Sequence, residues 1–153
     1  MQIGNKRPNI KLEMTGNNIV NLSKLGETNT VVYFYPKDST PGCTTEGLNF
    51  SEHYKQFKKT NTEIYGVSRD TIKRHENFKA KQSFPFELIS DPDEKLCNVF
   101  DVIKLKKLYG KEYMGIERST FLFDTSGKLI KEWRNLKVKD HVKEVLLACQ
   151  ELV

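Results

Sequence analysis

Eight consecutive residues concentrate the chemistry of this chain: Pro36-Lys37-Asp38-Ser39-Thr40-Pro41-Gly42-Cys43. They follow an apolar, β-prone run, Val31-Val32-Tyr33-Phe34-Tyr35, and lead into a segment of helical character that begins near Cys43. The thiolate is the nucleophilic form of cysteine, and the partial positive charge of a helix N-terminus favours it. Thr40, three residues earlier, adds a short hydroxyl that donates and accepts. This spacing suits a reactive thiolate.

The surrounding pattern supplies elements to hold that loop. Ile10 to Met14 and Ile19 to Leu22 read as a hairpin around Thr15-Gly16-Asn17-Asn18. Leu25 to Asn29 reads as loop. Val31 to Tyr35 reads as a central strand, ended by Pro36, which has no N–H for a ladder. Cys43 to Lys59 reads as one helix burying Leu48, Tyr54 and Phe57, with Phe50 offset. Glu63 to Ser68 and Pro85 to Ile89 read as strands. Between them Thr71 to Gln82 is a polar surface helix whose core residues are Ile72 and Phe78. Asp91-Pro92-Asp93 starts a helix through Phe100, with proline and acids in its first turn. Ile103 to Glu117 has no clear pattern. Ser119 to Phe123 and Leu129 to Trp133 form a hairpin around Asp124 to Gly127, and Lys139 to Leu152 is a final helix. Alternating strands and helices give an α/β sheet with helices on both faces. The pattern alone does not separate a thioredoxin-like from a flavodoxin-like strand order.

At 153 residues the chain is read as one domain, 1–153. No apolar run approaches the roughly 20 residues of a membrane span, and the N-terminus lacks a signal-peptide core. These features, with three cysteines in no disulfide pattern, give a cytoplasmic expectation with no membrane partner. The net charge of +5 comes from lysines scattered among 20 acidic residues. The densest patch, Lys104, Lys106 and Lys107, is assigned to a solvated loop, and no nucleic-acid motif accompanies it. His53, His75 and His141 are far apart and have no ligand spacing with the cysteines, so no metal is expected. Each is read as a surface or partly buried structural histidine.

Pro-x-x-x-Thr-x-x-Cys resembles the peroxidatic signature of the peroxiredoxins. The run from Tyr33 to Thr44 resembles the bacterioferritin comigratory protein (PrxQ) branch. The likeness continues in family order through Gly66-Val67-Ser68, Leu88-Ile89-Ser90-Asp91, Arg118-Ser119-Thr120-Phe121-Leu122, Asp124 and Gly127-Lys128. It implies a thioredoxin-like α/β fold: a central mixed β-sheet flanked by helices, with an N-terminal β-hairpin extension. It also implies a thiol peroxidase that needs no cofactor. Cys43 attacks a hydroperoxide and becomes sulfenic acid, Thr40 orients the substrate, and Arg118 matches the active-site arginine. Pro36 shields the sulfur, and the Gly42 and Cys43 N–H groups face the leaving oxygen. Glu46 either orients Arg118 or supports the helix dipole.

Many members of the branch carry a resolving cysteine five residues after the first, where this chain has Leu48, or in the next helix, where it has Lys79. The resemblance therefore implies a one-cysteine enzyme, re-reduced by thioredoxin, glutaredoxin or glutathione, and a monomer. Cys97 is named as a possible resolver, with Cys149 left open beside it; packing is the better reading for both. Two other functions remain in view. A disulfide reductase normally needs Cys-x-x-Cys, and here the loop reads Thr40-Pro41-Gly42-Cys43. A redox-sensing or nucleic-acid-binding module would use the basic surface and bind DNA without Cys43.

Overall fold

The computed structural model describes residues 1–153. In chain order the elements are β1 (Lys11–Met14), β2 (Asn18–Asn21), β3 (Asn29–Phe34), α1 (Pro41–Glu52), α2 (Tyr54–Lys59), β4 (Thr62–Ser68) and α3 (Ile72–Gln82). There follow β5 (Glu87–Ser90), α4 (Lys95–Val99), β6 (Ile103–Leu108), β7 (Lys111–Ile116), β8 (Ser119–Phe123), β9 (Leu129–Trp133) and α5 (His141–Gln150). Seven strands form one sheet in the order β2-β1-β5-β4-β3-β8-β9. β3, β4 and β5 run parallel; β8, β9 and the N-terminal hairpin join antiparallel. The mixed sheet with its hairpin extension is the architecture expected from the sequence.

β3 and β8 are buried along their whole lengths, so apolar side chains leave both faces of the sheet. Val31, Tyr33 and Tyr35 point to one side, with Cys43, Phe50, Phe57, Phe78 and the α5 residues Val142, Val145 and Cys149. Val32 and Phe34 point to the other, with Leu96, Cys97, Phe100 and Phe121. Antiparallel pairing of β3 with β8 sets Phe34 opposite Ser119. The loop leaving β3 therefore lies beside Arg118, the residue that enters β8.

Several elements differ from the sequence reading. The expected helix from Cys43 to Lys59 begins two residues earlier, with Pro41 as its first residue, and breaks at His53. Its buried stripe is Cys43, Glu46, Gly47 and Phe50, while Leu48 stays 42% exposed. Leu48 and Phe50 lie on opposite sides of a helix, so only one can face the sheet. Two of the winning positions are polar or reactive, which hid the stripe from a count of apolar residues. In α3 the buried pair is His75 and Phe78, with Ile72 only half-buried. The helix expected from Asp91 starts at Lys95, because Glu94 adopts φ 60° and the Asp91 carboxylate accepts the Cys97 N–H at 2.8 Å from outside the helix. The lysine patch is not a loop: Lys104, Lys106 and Lys107 lie on β6, which pairs with β7 as a separate two-stranded hairpin. Its two-residue turn, Tyr109-Gly110, has positive φ at both positions, as this tight turn requires.

Gly47 fixes how closely α1 approaches the sheet. A Cβ there would lie 2.4 Å from Phe84 Cζ, inside a buried aromatic cluster. Gly47→Ala is expected to cost about 1–3 kcal/mol by overpacking, which a thermal melt would register as a loss of several degrees. An unchanged melting temperature would contradict this packing.

Candidate active site

Thr40 is the N-cap residue of α1, and its carbonyl accepts the Thr44 N–H at 2.9 Å. Cys43 therefore sits in the first turn, where the Gly42 and Cys43 N–H groups have no carbonyl of the helix to bond. The Cys43 side chain is 2% exposed. Arg118 approaches it from the neighbouring strand, with Nη2 donating to Sγ at 3.4 Å. The other arm, Nη1, donates to Glu46 Oε1 at 2.7 Å, one turn further along α1. A Cβ on Gly42 would come 3.3 Å from Arg118 Nη2, so a glycine there leaves the guanidinium its room. Both the helix terminus and the guanidinium thus present positive charge to the sulfur.

Thr40 does not cap the helix with its side chain. Its hydroxyl donates to the Lys37 carbonyl at 2.8 Å, which leaves its oxygen lone pairs free to accept. Pro36 is half-buried at the head of the loop. Glu46 is fully buried, with Oε2 unpartnered. Burial pushes its carboxyl up to about 7 against the pull of the Arg118 charge and hydrogen bond. Burial alone would lower the Arg118 pKa, but the Glu46 charge and the Cys43 sulfur outweigh it and raise the value.

A carboxyl raised in the folded state favours folding at low pH. That contribution is whole below the ordinary value near 4.5 and is lost as pH rises through about 7. The wild-type protein should therefore lose stability between pH 5 and pH 8 relative to Glu46→Gln, by on the order of 3 kcal/mol. Parallel melting curves for the two proteins across that range would contradict this assignment.

The remaining cysteines stay apart from this site. Cys97 lies fully buried in the core on the opposite side of the sheet from Cys43. Burial first, then the Asp91 charge and hydrogen bond, drive its pKa far up. Cys149 shares the Cys43 side of the sheet but is fully buried, and burial pushes it up to about 11. Lys79, at the second usual resolver position, pairs with Glu87.

Some relevant residues escaped the sequence reading. His75 is fully buried, beyond the surface or partly buried position expected of it, and touches Asp38, with Asp70 beside it. Those partners lie 37 and 5 residues away along the chain, with no motif linking them. His141 is also buried: Thr120 Oγ1 meets its Nε2 at 2.8 Å, and burial, then the Arg118 charge, lower it to about 4. Lys106, from the unforeseen hairpin, lies within electrostatic reach of Arg118 and Cys43. Its alternation with Ile103 and Leu105 was the available signal.

Residues 3–132 match the model of the AhpC/TSA family. Peroxiredoxin Bcp of Bacillus subtilis is 49% identical over 152 residues, covering 99% of this chain and 97% of that protein. Peroxiredoxin Bcp of Xanthomonas campestris is 58% identical over 118 residues, covering 77% of this chain and 74% of that protein. Among solved structures, the bacterioferritin comigratory protein of Xanthomonas campestris, studied for its alkyl peroxide reduction activity, superposes with a TM-score of 0.89. It is 49% identical and covers 93% of this chain and 90% of that one. A cysteine-to-serine mutant of Xylella fastidiosa PrxQ gives a TM-score of 0.93 at 44% identity, covering 99% and 96%.

Proposed function

Because the chain belongs to the AhpC/TSA family and stands among its Bcp (PrxQ) peroxiredoxins, we propose that Cys43 is the sulfur through which it reduces hydroperoxides. The protein is a thiol-dependent peroxidase with a thioredoxin-like fold. The observation that carries the assignment is the Arg118 fork, which bonds Cys43 Sγ with one arm and buried Glu46 with the other.

The Cys43 thiolate attacks the terminal oxygen of the hydroperoxide. The sulfur–oxygen bond forms as the oxygen–oxygen bond breaks, and the leaving oxygen departs with the bonding pair and takes up a proton. Cys43 becomes sulfenic acid and the peroxide becomes water or an alcohol. Thr40 Oγ1, its own hydrogen committed to Lys37, accepts the O–H of the peroxide and turns the bond into line. Arg118 Nη2 lies where charge moves between sulfur and oxygen, and its two hydrogens serve both while Nη1 stays on Glu46. The Gly42 and Cys43 N–H groups offer donors to the departing oxygen. Pro36 shields this step from bulk water.

An outside thiol then closes the cycle. It attacks the sulfenic sulfur and expels water; a second thiol attacks the resulting mixed disulfide and restores Cys43. Cys97 is cut off by the sheet, and Leu48 and Lys79 supply no sulfur, which supports a one-cysteine enzyme. Thioredoxin, glutaredoxin and glutathione are the candidate reductants. The reading is of a single domain, 1–153, working as a monomer in the cytoplasm. No helix is long and apolar enough to cross a membrane. A disulfide reductase is the weaker reading, since Thr40 stands where its second sulfur belongs.

A coupled assay with each reductant supplied separately tests this. Peroxide consumption should depend on one of them, and the oxidised protein should contain no intramolecular disulfide. A Cys43–Cys97 disulfide in the monomer would overturn the one-cysteine reading.

A further inference from the structure

The loop between β3 and α1 is held from below by a buried chain of hydrogen bonds. Asp38, at its midpoint, is 2% exposed although carboxylates favour water. Its Oδ1 accepts the Tyr35 hydroxyl hydrogen at 2.6 Å, and its Oδ2 meets His75 Nδ1 at 2.6 Å. His75, on α3, is fully buried, and its Nε2 lies 2.9 Å from the Ile89 carbonyl. A carbonyl only accepts, so Nε2 carries a hydrogen, and one further proton lies between Nδ1 and Oδ2. The Asp38 N–H donates to Asp70 Oδ2 at 2.9 Å, the oxygen that also takes the Ser68 hydroxyl at 2.5 Å. Arg74 Nε faces Asp70 Oδ1 at 3.4 Å.

The ligand atoms of Asp38, Asp70 and His75 lie within 4.8 Å of one another. Protein hydrogens already occupy them, so the cluster fastens the loop and is not an open ligand site. Asp38 is thereby tied to β3 through Tyr35, to the end of β4 through Asp70 and to α3 through His75. One residue on, Ser39 takes φ 63°, and Thr40 then stands at the N-cap position of α1. Thr40 and Cys43 inherit their positions from this anchor.

We propose that Asp38 and His75 are positioning residues, a latch whose hold speeds attack on peroxide and slows reduction of the sulfenic acid by an outside thiol. The proposal rests on the reading of Cys43 above. The two half-reactions need different things from the loop. Peroxide is small, and its reduction needs Thr40, Cys43 and Arg118 in fixed alignment. A thiol is larger and must bring its sulfur into line with one that is 2% exposed and has no partner inside the protein. The loop must give way for that contact, and the buried latch is what resists.

Two histidine substitutions separate the bonds. An asparagine amide nitrogen sits about where Nδ1 does, and a glutamine amide nitrogen about where Nε2 does. His75→Asn keeps a partner for Asp38; His75→Gln keeps the bond to the Ile89 carbonyl and drops Asp38. Tyr35→Phe loosens Asp38 from the other side while keeping its ring in the core, and serves if His75→Gln fails to fold. Each folded variant is mixed with one equivalent of hydrogen peroxide, and Cys43 oxidation is timed by mass spectrometry. The preformed sulfenic acid is then mixed with dithiothreitol and its reduction timed.

His75→Gln and Tyr35→Phe are expected to slow oxidation about fivefold or more and to speed reduction about twofold or more. They should also form less sulfinic acid under excess peroxide, because that second oxidation uses the same closed site. His75→Asn should stay within about twofold of wild type in both steps. Parallel loss of both half-reactions, no change in either, or the same behaviour for Asn and Gln would overturn the latch. Failure of wild-type Cys43 to be oxidised would instead remove the reading on which it stands.

Discussion

Replacing Cys43 by serine is expected to reduce peroxide turnover to background while leaving a folded protein. A serine hydroxyl stays protonated at neutral pH and cannot accept an oxygen atom to form the next rung of a sulfur ladder. Arg118, Thr40 and the helix terminus would remain around an inert group, so the loss should be roughly 10⁴-fold or more. The structural cost is small by comparison. The side chain is 2% exposed, and a hydroxyl there exchanges the Arg118 Nη2–Sγ contact for one to oxygen. A loss of about 1 kcal/mol is the expected scale. Activity near the wild-type level in a folded Cys43→Ser protein would remove the sulfur from the mechanism altogether.

Arg118→Ala should lower the rate of Cys43 oxidation by peroxide by about 10²–10³-fold, the usual loss when one oriented donor to a developing charge is removed. The rate with iodoacetamide, which needs a reactive sulfur but presents no oxygen–oxygen bond, should fall less than about tenfold. The ratio of the two losses separates orientation of the peroxide from a general effect on the sulfur. Equal losses would reduce Arg118 to an electrostatic neighbour. Arg118→Lys should not restore the rate, because one ammonium cannot reach Glu46 Oε1 and the reacting atoms as a planar fork does. Removing the guanidinium strands Glu46, a fully buried carboxyl that burial already holds up at about 7. It should bind a proton in the variant, which limits the damage to the fold, and an Arg118→Ala, Glu46→Gln double variant supplies the control.

What the sequence could reveal depended on whether an interaction was local. The strand from Val31 to Tyr35, the proline that ends it and the helix carrying Cys43 lie within one short window, and their pattern was legible. So were both strands of the β8–β9 hairpin, around a turn built from Asp124 to Gly127. Arg118 was found by resemblance; its reach to Cys43, 75 residues away, follows from β3–β8 pairing that no local pattern contains. The misreadings share a cause. Leu48 looked like a core residue because leucine usually is one, whereas the core side of α1 is set by Cys43, Glu46, Gly47 and Phe50. His75 reads as a surface or partly buried structural histidine on a polar helix, and only the fold buries it and brings Asp38 and the Ile89 carbonyl to it. Lys106 sits on a hairpin rather than a loop, and the β6–β7 turn, Tyr109-Gly110, lacks the asparagine or aspartate that usually announces such a turn in sequence.

The most direct measurement treats the fully reduced protein with one equivalent of hydrogen peroxide and maps the added oxygen by peptide mass spectrometry at early times. One oxygen should appear on Cys43, as sulfenic acid, before any change at Cys97 or Cys149. An unmodified Cys43 with peroxide still being consumed, or first oxidation at either of the other two cysteines, would contradict the account.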